Sequence, residues 1–235
     1  MKLIKKLLLA ILLCAFIFVS IVSLCGYSQY KQAINRMPLE TKIEAIKKQE
    51  NYVCYEELSP YLLQATVAIE DHRFYDHNGF DVLATGRAFL ATLLGYGRSG
   101  GSTITQQLAK NLYFGYEPSL TRKVSELFVA HDIEASYSKE EILTIYMNII
   151  NYGDNHIGIK EAAQGYFHMD AKDLDLAQAS LLAGLPQSPA NYQLSDHYEQ
   201  AKKRQKQVLQ AMQKQHMISE KEMKDAFEKK LIIYP

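Results

Sequence analysis

Three short clusters in this 235-residue chain carry side chains able to do chemistry. The first is Glu70-Asp71, which closes the run YLLQATVAIED. A carboxylate at the end of an apolar helix is poorly solvated, and poor solvation raises proton affinity toward that of a useful general base. An ordinary acidic pair ending a surface helix has the same sequence, so this cluster alone decides nothing. His72 and His77 lie close by, but their spacing matches no familiar metal-ligand pattern, and capping or hydrogen bonding accounts for them. The second cluster is GGSTITQQLAKN, Gly100 to Asn111. Two glycines followed by Ser102, Thr103 and Thr105 at a predicted helix start offer backbone N–H and hydroxyl donors to an anion. Gln106, Gln107 and Lys110 follow on the next turns. The GxxxxGK[ST] spacing is missing, so nucleotide binding is unsupported. The third is Arg122-Lys123-x-x-Glu126, spaced i,i+4 and i,i+3 so that all three side chains can share one helix face, as a solvated salt-bridge face also would. A serine nucleophile is disfavoured: Ser28-x-x-Lys31 fits SxxK but abuts an apolar run, and no KTG, SDN, GxSxG or HExxH occurs.

The elements that must position these clusters are helical. Ser59 and Pro60 open a predicted helix that runs to Asn78-Gly79. Residues 82–95 form a second apolar helix, followed by a loose stretch from Gly95 to Gly101 containing four glycines. A helix is predicted from Thr103 to Tyr113. In the next one Leu120, Val124, Leu127, Phe128 and His131 form a stripe at helical spacing, with Arg122, Ser125 and Glu126 off it. Ser138-Lys139-Glu140-Glu141 is a capping box, DLAQASLLAGLP ends on Gly184-Leu185-Pro186, and Tyr198 to Lys230 reads as a charged amphipathic helix pair. Strand signals are scarce and no repeat is present, so the body is predicted to be mainly α-helical.

Charge and composition narrow the function. Basic and acidic residues number 26 each, but Lys2, Lys5 and Lys6 stand in a first segment without acids, leaving residues 27–235 with 23 basic against 26 acidic. A mildly acidic body argues against a nucleic-acid binder. From Leu7 to Cys25 run 19 residues without charge or proline, spanning roughly 28 Å as a helix, close to the hydrocarbon thickness of a bilayer. The lysines before it place the N-terminus in the cytoplasm and residue 27 onward outside. A cleaved signal would show a shorter apolar core and a better small-x-small site, and lipoprotein processing at Cys25 would want a small residue where Leu24 stands. Three cysteines, two of them in the apolar run, offer no disulfide framework or thiolate zinc site.

Taken in order, the motifs resemble the peptidoglycan glycosyltransferases of family 51, found as monofunctional enzymes and as the N-terminal domain of class A penicillin-binding proteins. Five blocks carry the resemblance: Glu70-Asp71-x-x-Phe74-x-x-His77-x-Gly79; Gly101-Ser102-Thr103-Ile104-x-Gln106-Gln107; Arg122-Lys123-x-x-Glu126; Lys139-x-Glu141-Ile142-Leu143-x-x-Tyr146-x-Asn148; and Gly158 through Ala162-Ala163 to Tyr166-Phe167. LLAGLPQSPANY resembles the segment that closes the domain. The resemblance implies a lysozyme-like helical fold with head and jaw lobes after a single transmembrane helix, the helix around Phe89–Leu94 dipping into the bilayer. Its expected division is a cytoplasmic tail (1–6), an anchor (7–25), a stalk (26–44), a glycosyltransferase domain (45–195) and a C-terminal helical extension of that domain (196–235).

The activity the resemblance implies is polymerisation of lipid II, an undecaprenyl-diphosphate-linked disaccharide-peptide, into glycan strands with inversion and β-1,4 linkage. Glu70 then matches the base and Glu126 the second glutamate. Lys110, Arg122 and Lys123 meet the diphosphate, with Asp71, Ser102, Thr103, Gln106 and Gln107 at the substrate. A divalent cation (Mg2+ or Mn2+) at the diphosphate is compatible with the resemblance, with no ligand assigned. Expected partners are the membrane, lipid II, the growing strand and separate transpeptidases; the enzyme is expected to be monofunctional. Two departures stand out. Glu117-Pro118-Ser119 lacks a basic residue that members often carry there, which would weaken diphosphate binding, and Leu176-Ala177-Gln178-Ala179-Ser180 replaces LAEAA. The competing readings are a lysozyme-like glycan-cleaving enzyme and an inactive membrane-anchored scaffold.

Overall fold

The structure, a computed structural model, describes residues 2–94, 100–115 and 117–234. The glycine-rich stretch expected between Gly95 and Gly101, and the side chain of Phe89 in the expected membrane-dipping helix, fall largely outside it. Among the described residues there is no strand, only an isolated antiparallel bridge between Asn151 and Ile157. The helices are α1 (Lys2–Arg36), α2 (Leu39–Lys47), α3 (Pro60–Glu70), α4 (Val82–Leu93), α5 (Ile104–Tyr113), α6 (Leu120–Ser136), α7 (Lys139–Ile149), α8 (Ile159–Phe167), α9 (Leu176–Gly184), α10 (Pro189–Tyr192), α11 (Tyr198–Lys214) and α12 (Glu220–Glu228).

The apolar run does not end where the charges begin. α1 continues as one 35-residue helix through the segment expected to be a stalk, and is the one described helix long and apolar enough to cross a membrane. Its upper part lies along α6, burying Gly26 and Tyr30, while α2 packs on α7. The expected stalk is therefore folded onto the body, because its apolar and aromatic residues have a partner there.

α6 also presents its faces differently from the sequence expectation. Leu120, Leu127 and Phe128 of the apolar stripe are 62%, 37% and 36% exposed, whereas Ser125 and Glu126 are fully buried. The stripe serves α1 rather than the core: Phe128 stacks on Tyr30 and meets Tyr27 edge-on. Amphipathic periodicity marks an apolar face without saying what covers it.

α5 is held against α6 and α7 by Ile104, Leu108 and Leu112 at i, i+4 and i+8, which leaves Gln107 and Lys110 on another face. α9 is small-residue rich and buried nearly all round, so α3 and α11 both approach it closely. Its departure from LAEAA is structural. Gln178 completes the Asp175 capping box, and Gln205 of α11 donates to Ser180 Oγ and the Ala177 carbonyl.

α3 stops at Glu70, nine residues before the predicted end at Gly79. Asp71 leaves helical geometry and its carboxylate takes the Ile104 N–H at 3.0 Å and His77 Nε2 at 3.0 Å. Buried Phe74 then pins the loop, and Gly79 turns it at φ +78. Asp81 secures the far end. It accepts from both Arg73 Nε and Nη2 and from the Ala84 N–H at the start of α4. The Arg73 guanidinium holds the Asp81 carboxyl well below the usual carboxylate range. A depressed folded value contributes stability that is present above the unfolded pKa, near 4, and is lost as pH falls through the folded one. Asp81→Asn is therefore expected to lower the melting temperature by about 5 °C at neutral pH, with the gap to wild type closing as the buffer is taken into the strongly acidic range. Thermal melts across pH check it.

Candidate active site

The end of α3, the inner face of α5, the segment after α9 and Arg204 of α11 line one cleft, and the first turn of α6 reaches its edge through the Lys123–Ser102 contact. Its main hollow, about 460 Å³, is lined by Glu70, Ser102, Gln107, Lys110, Gln187 and Arg204 among others. A smaller one of about 170 Å³ adjoins it, sharing Glu70 and Ser102 and reaching Asp71, His72 and Arg87. Glu70 thus stands between two spaces.

Glu70 is held from two sides. Gln107 Nε2 donates to its Oε2 at 2.8 Å, and Tyr146 in turn donates to Gln107 Oε1 at 3.1 Å, which fixes which way the amide points. Arg204 Nη2 lies 3.4 Å from Oε1, in a pair whose side chains are only 8% and 10% exposed. An enclosed carboxylate is tolerated where such a partner compensates its charge. Arg204 comes from α11, in the C-terminal region that sequence reading treated as a charged amphipathic helix. Its signal was available in outline, since Arg204 and Gln205 are buried in a helix whose neighbouring residues are almost all polar. Gly184 of α9 makes room for it, because a Cβ there would stand 2.8 Å from Arg204 Cγ.

The cationic side is built on α6. Glu126, without exposed surface, lies 2.9 Å from Arg122 Nε and 2.6 Å from Lys123 Nζ. Lys123 also donates to Ser102 Oγ at 2.8 Å, tying α6 to the loop before α5. Burial pushes the Lys110 ammonium below its ordinary value; Glu126 and Glu70 oppose the shift, while Lys123 and Arg122 add to it. These groups therefore sense one another across the cleft. The loop at the expected missing basic residue is instead held by Arg122, whose Nη1 donates to the carbonyls of Gly115 and Glu117.

Not every predicted site residue faces this space. Thr103 is the N-cap of α5. Its hydroxyl donates to the Gly79 carbonyl and accepts from the Gln106 N–H, and the Gln106 side chain closes the same capping box. Asp71 occupies the Ile104 N–H and His77. The start of α5 was expected to cradle an anion. The Ile104 and Gln106 N–H groups there are instead satisfied internally, by Asp71 and Thr103, and the cations nearest the cleft are Lys110, which lines it, and Lys123, which reaches Ser102. Of the GGSTITQQLAKN cluster, Ser102, Gln107 and Lys110 line the main hollow, Ser102 and Thr103 line the smaller one, and Gln106 lines neither. No group of three or more His, Cys, Asp or Glu among the described residues could hold a metal ion. Both cleft glutamates already face cations. These residues do not fit a protein-held divalent cation, and no step is routed through one.

A carboxylate beside a cluster of cations, carried on a helical body with a membrane-length helix, is an arrangement suited to group transfer. The comparisons agree with this class. Residues 38–213 match the family model described as Transglycosylase. Penicillin-binding protein 2D of Bacillus subtilis is 42% identical over 185 residues, 78% of this chain and 27% of that protein. The monofunctional glycosyltransferase of Staphylococcus epidermidis is 38% identical over 191 residues, 78% of this chain and 71% of that protein. A crystal structure of penicillin-binding protein 1A from Haemophilus influenzae aligns over 56% of this chain and 16% of that one, at 26% identity and a TM-score of 0.40. The chain belongs to the transglycosylase family, the peptidoglycan glycosyltransferases of family 51.

Proposed function

We propose that this protein polymerises lipid II into peptidoglycan strands, with Glu70 as base and Lys110, Arg122 and Lys123 as the diphosphate site. The observation that carries the reading is the single cleft holding Glu70 with Gln107 and Arg204 on one side and Lys110 on the other. The acceptor sugar's 4-hydroxyl gives its proton to the Glu70 carboxylate as its oxygen attacks the anomeric carbon of the lipid-linked chain. The bond from that carbon to the diphosphate breaks, its electron pair leaving on the diphosphate oxygen, and the anomeric centre inverts to a β-1,4 linkage. A diphosphate is a sufficient leaving group without a proton, so the site supplies positive charge where the new negative charge appears.

A glycan-cleaving reaction needs a protonated carboxylic acid and usually a second working carboxylate. Here Glu70 pairs with a guanidinium, and Glu126 is occupied by two cations. Orientation follows from Lys2, Lys5 and Lys6, which favour a cytoplasmic N-terminus and an extracytoplasmic cleft. Purified full-length protein incubated with labelled lipid II should give glycan ladders on gels and leave finished strands intact. Shortening of finished strands instead would reject the reading.

Arg204 is a positioning residue in this scheme. Arg204→Met is expected to lower kcat about tenfold. KM should stay within about twofold, because Arg204 holds the Glu70 carboxylate in place and does not meet the lipid-linked donor. Steady-state rates on labelled lipid II check it, and an unchanged kcat would leave Arg204 a packing residue only.

A further inference from the structure

α6 has two occupied faces. On one, Glu126 pairs with Arg122 and Lys123, and Lys123 reaches Ser102 at the cleft edge; on the other, Val124, Ser125, Phe128 and Asp132 meet α1. The crossing is close. A Cβ on Gly26 would lie 2.6 Å from both Val124 Cβ and Cγ1 and 3.0 Å from the Thr121 carbonyl. Ser125 Oγ sits 2.8 Å from the Gly26 carbonyl and 3.0 Å from Gln29 Oε1, and Tyr30 donates to Asp132 Oδ2 at 2.7 Å two turns further along α6. Gly26 directly follows Cys25, the last residue of the apolar run. The crossing therefore falls at the edge of the hydrocarbon layer. Arg122 and Glu126 lie within about one helical turn, roughly 5 Å, of Ser125 along α6. That is the depth at which the phosphates of an isoprenoid diphosphate reside.

We infer that the Gly26–Ser125 crossing sets the height of the α6 cation cluster above the membrane, so that the anchor helix positions the site for membrane-borne substrate. The inference rests on the polymerase reading and adds to it. A loose tether would leave the cleft to find its own depth, whereas a helix continuous from bilayer to cleft wall, and clamped there by a glycine, does not. A side chain at position 26 wedges α1 away from α6 without touching the cleft. Displacements of this kind act on substrates whose position is fixed by the bilayer, not on those free to diffuse in.

The test compares full-length wild type, Gly26→Leu, Gly26→Ala and the size swap Gly26→Ala/Val124→Gly in lipid vesicles. Two substrates are used: long-chain lipid II embedded in the vesicles, and a short-chain, water-soluble lipid II analogue. Gly26→Leu is expected to raise KM for the embedded substrate about tenfold with kcat little changed, and to leave kcat/KM for the soluble one within about twofold. Gly26→Ala should show the same split more weakly, and the swap should recover wild-type KM. Equal losses on both substrates, with or without a lower melting temperature, would mark the crossing as packing alone and overturn the inference. So would unchanged kinetics in Gly26→Leu. Failure of wild type to extend either substrate would instead reject the polymerase reading itself, a separate result.

Discussion

Glu70→Gln is expected to slow lipid II polymerisation by about 10³-fold, within the range that positioned proton transfer commonly supplies. The change is isosteric and keeps the amide of Gln107 and the guanidinium of Arg204 within reach. What it removes is the one group in the cleft placed to accept the hydroxyl proton. The variant leaves Lys110, Arg122 and Lys123, the proposed diphosphate site, untouched, so donor binding should persist while the chemical step fails. Single-turnover extension of labelled lipid II, with donor affinity measured in parallel, separates the two. Activity above a tenth of wild type would show that another base is at work.

The second large effect is expected from Glu126→Gln, and it should appear in stability as well as rate. Glu126 has no exposed surface and faces Arg122 and Lys123 at 2.9 and 2.6 Å. Neutralising it leaves half-buried Arg122 without its counter-charge, which costs about 3 kcal/mol. The same change frees Lys123 from the geometry that ties it to Ser102. Misplaced cations stabilise the departing diphosphate poorly, so kcat should fall about 10²-fold. Denaturant unfolding and chain-extension rates together check this. A variant with normal stability and normal kcat would mean that the cation cluster is held by other contacts. The contrast with Glu70→Gln is informative: one glutamate acts on the substrate, the other on the residues that meet it.

The two variants also separate what sequence alone could assign from what it could not. Glu70 and Glu126 are equally visible as acids within short motifs, and nothing in their spacing says that one is paired with a distant arginine while the other is sealed beneath two cations. Residues 70, 107 and 204 meet because α3, α5 and α11 pack around α9 and the core, an arrangement made by long-range contacts that periodicity does not encode. Arg204 escaped notice for that reason. It lies 134 positions from Glu70, in a helix whose charged residues are mostly solvated. Thr103 and Gln106 were legible as polar residues at a helix start. Whether such residues face a ligand or cap their own helix depends on the loop before them, here turned by Asp71 and Gly79.

By itself the sequence determined the helical character, the membrane-length run and the motif blocks that mark the family, because helix signals and side-chain types are local properties. It also marked the apolar stripe on α6. Only the tertiary structure decided what that stripe meets, that α3 ends at Glu70, and that the expected stalk is part of the body. Each of these depends on which surfaces exclude water from one another. A helix end is set by whatever satisfies its last free groups, and an apolar face is silent about its partner until the chain has folded onto it.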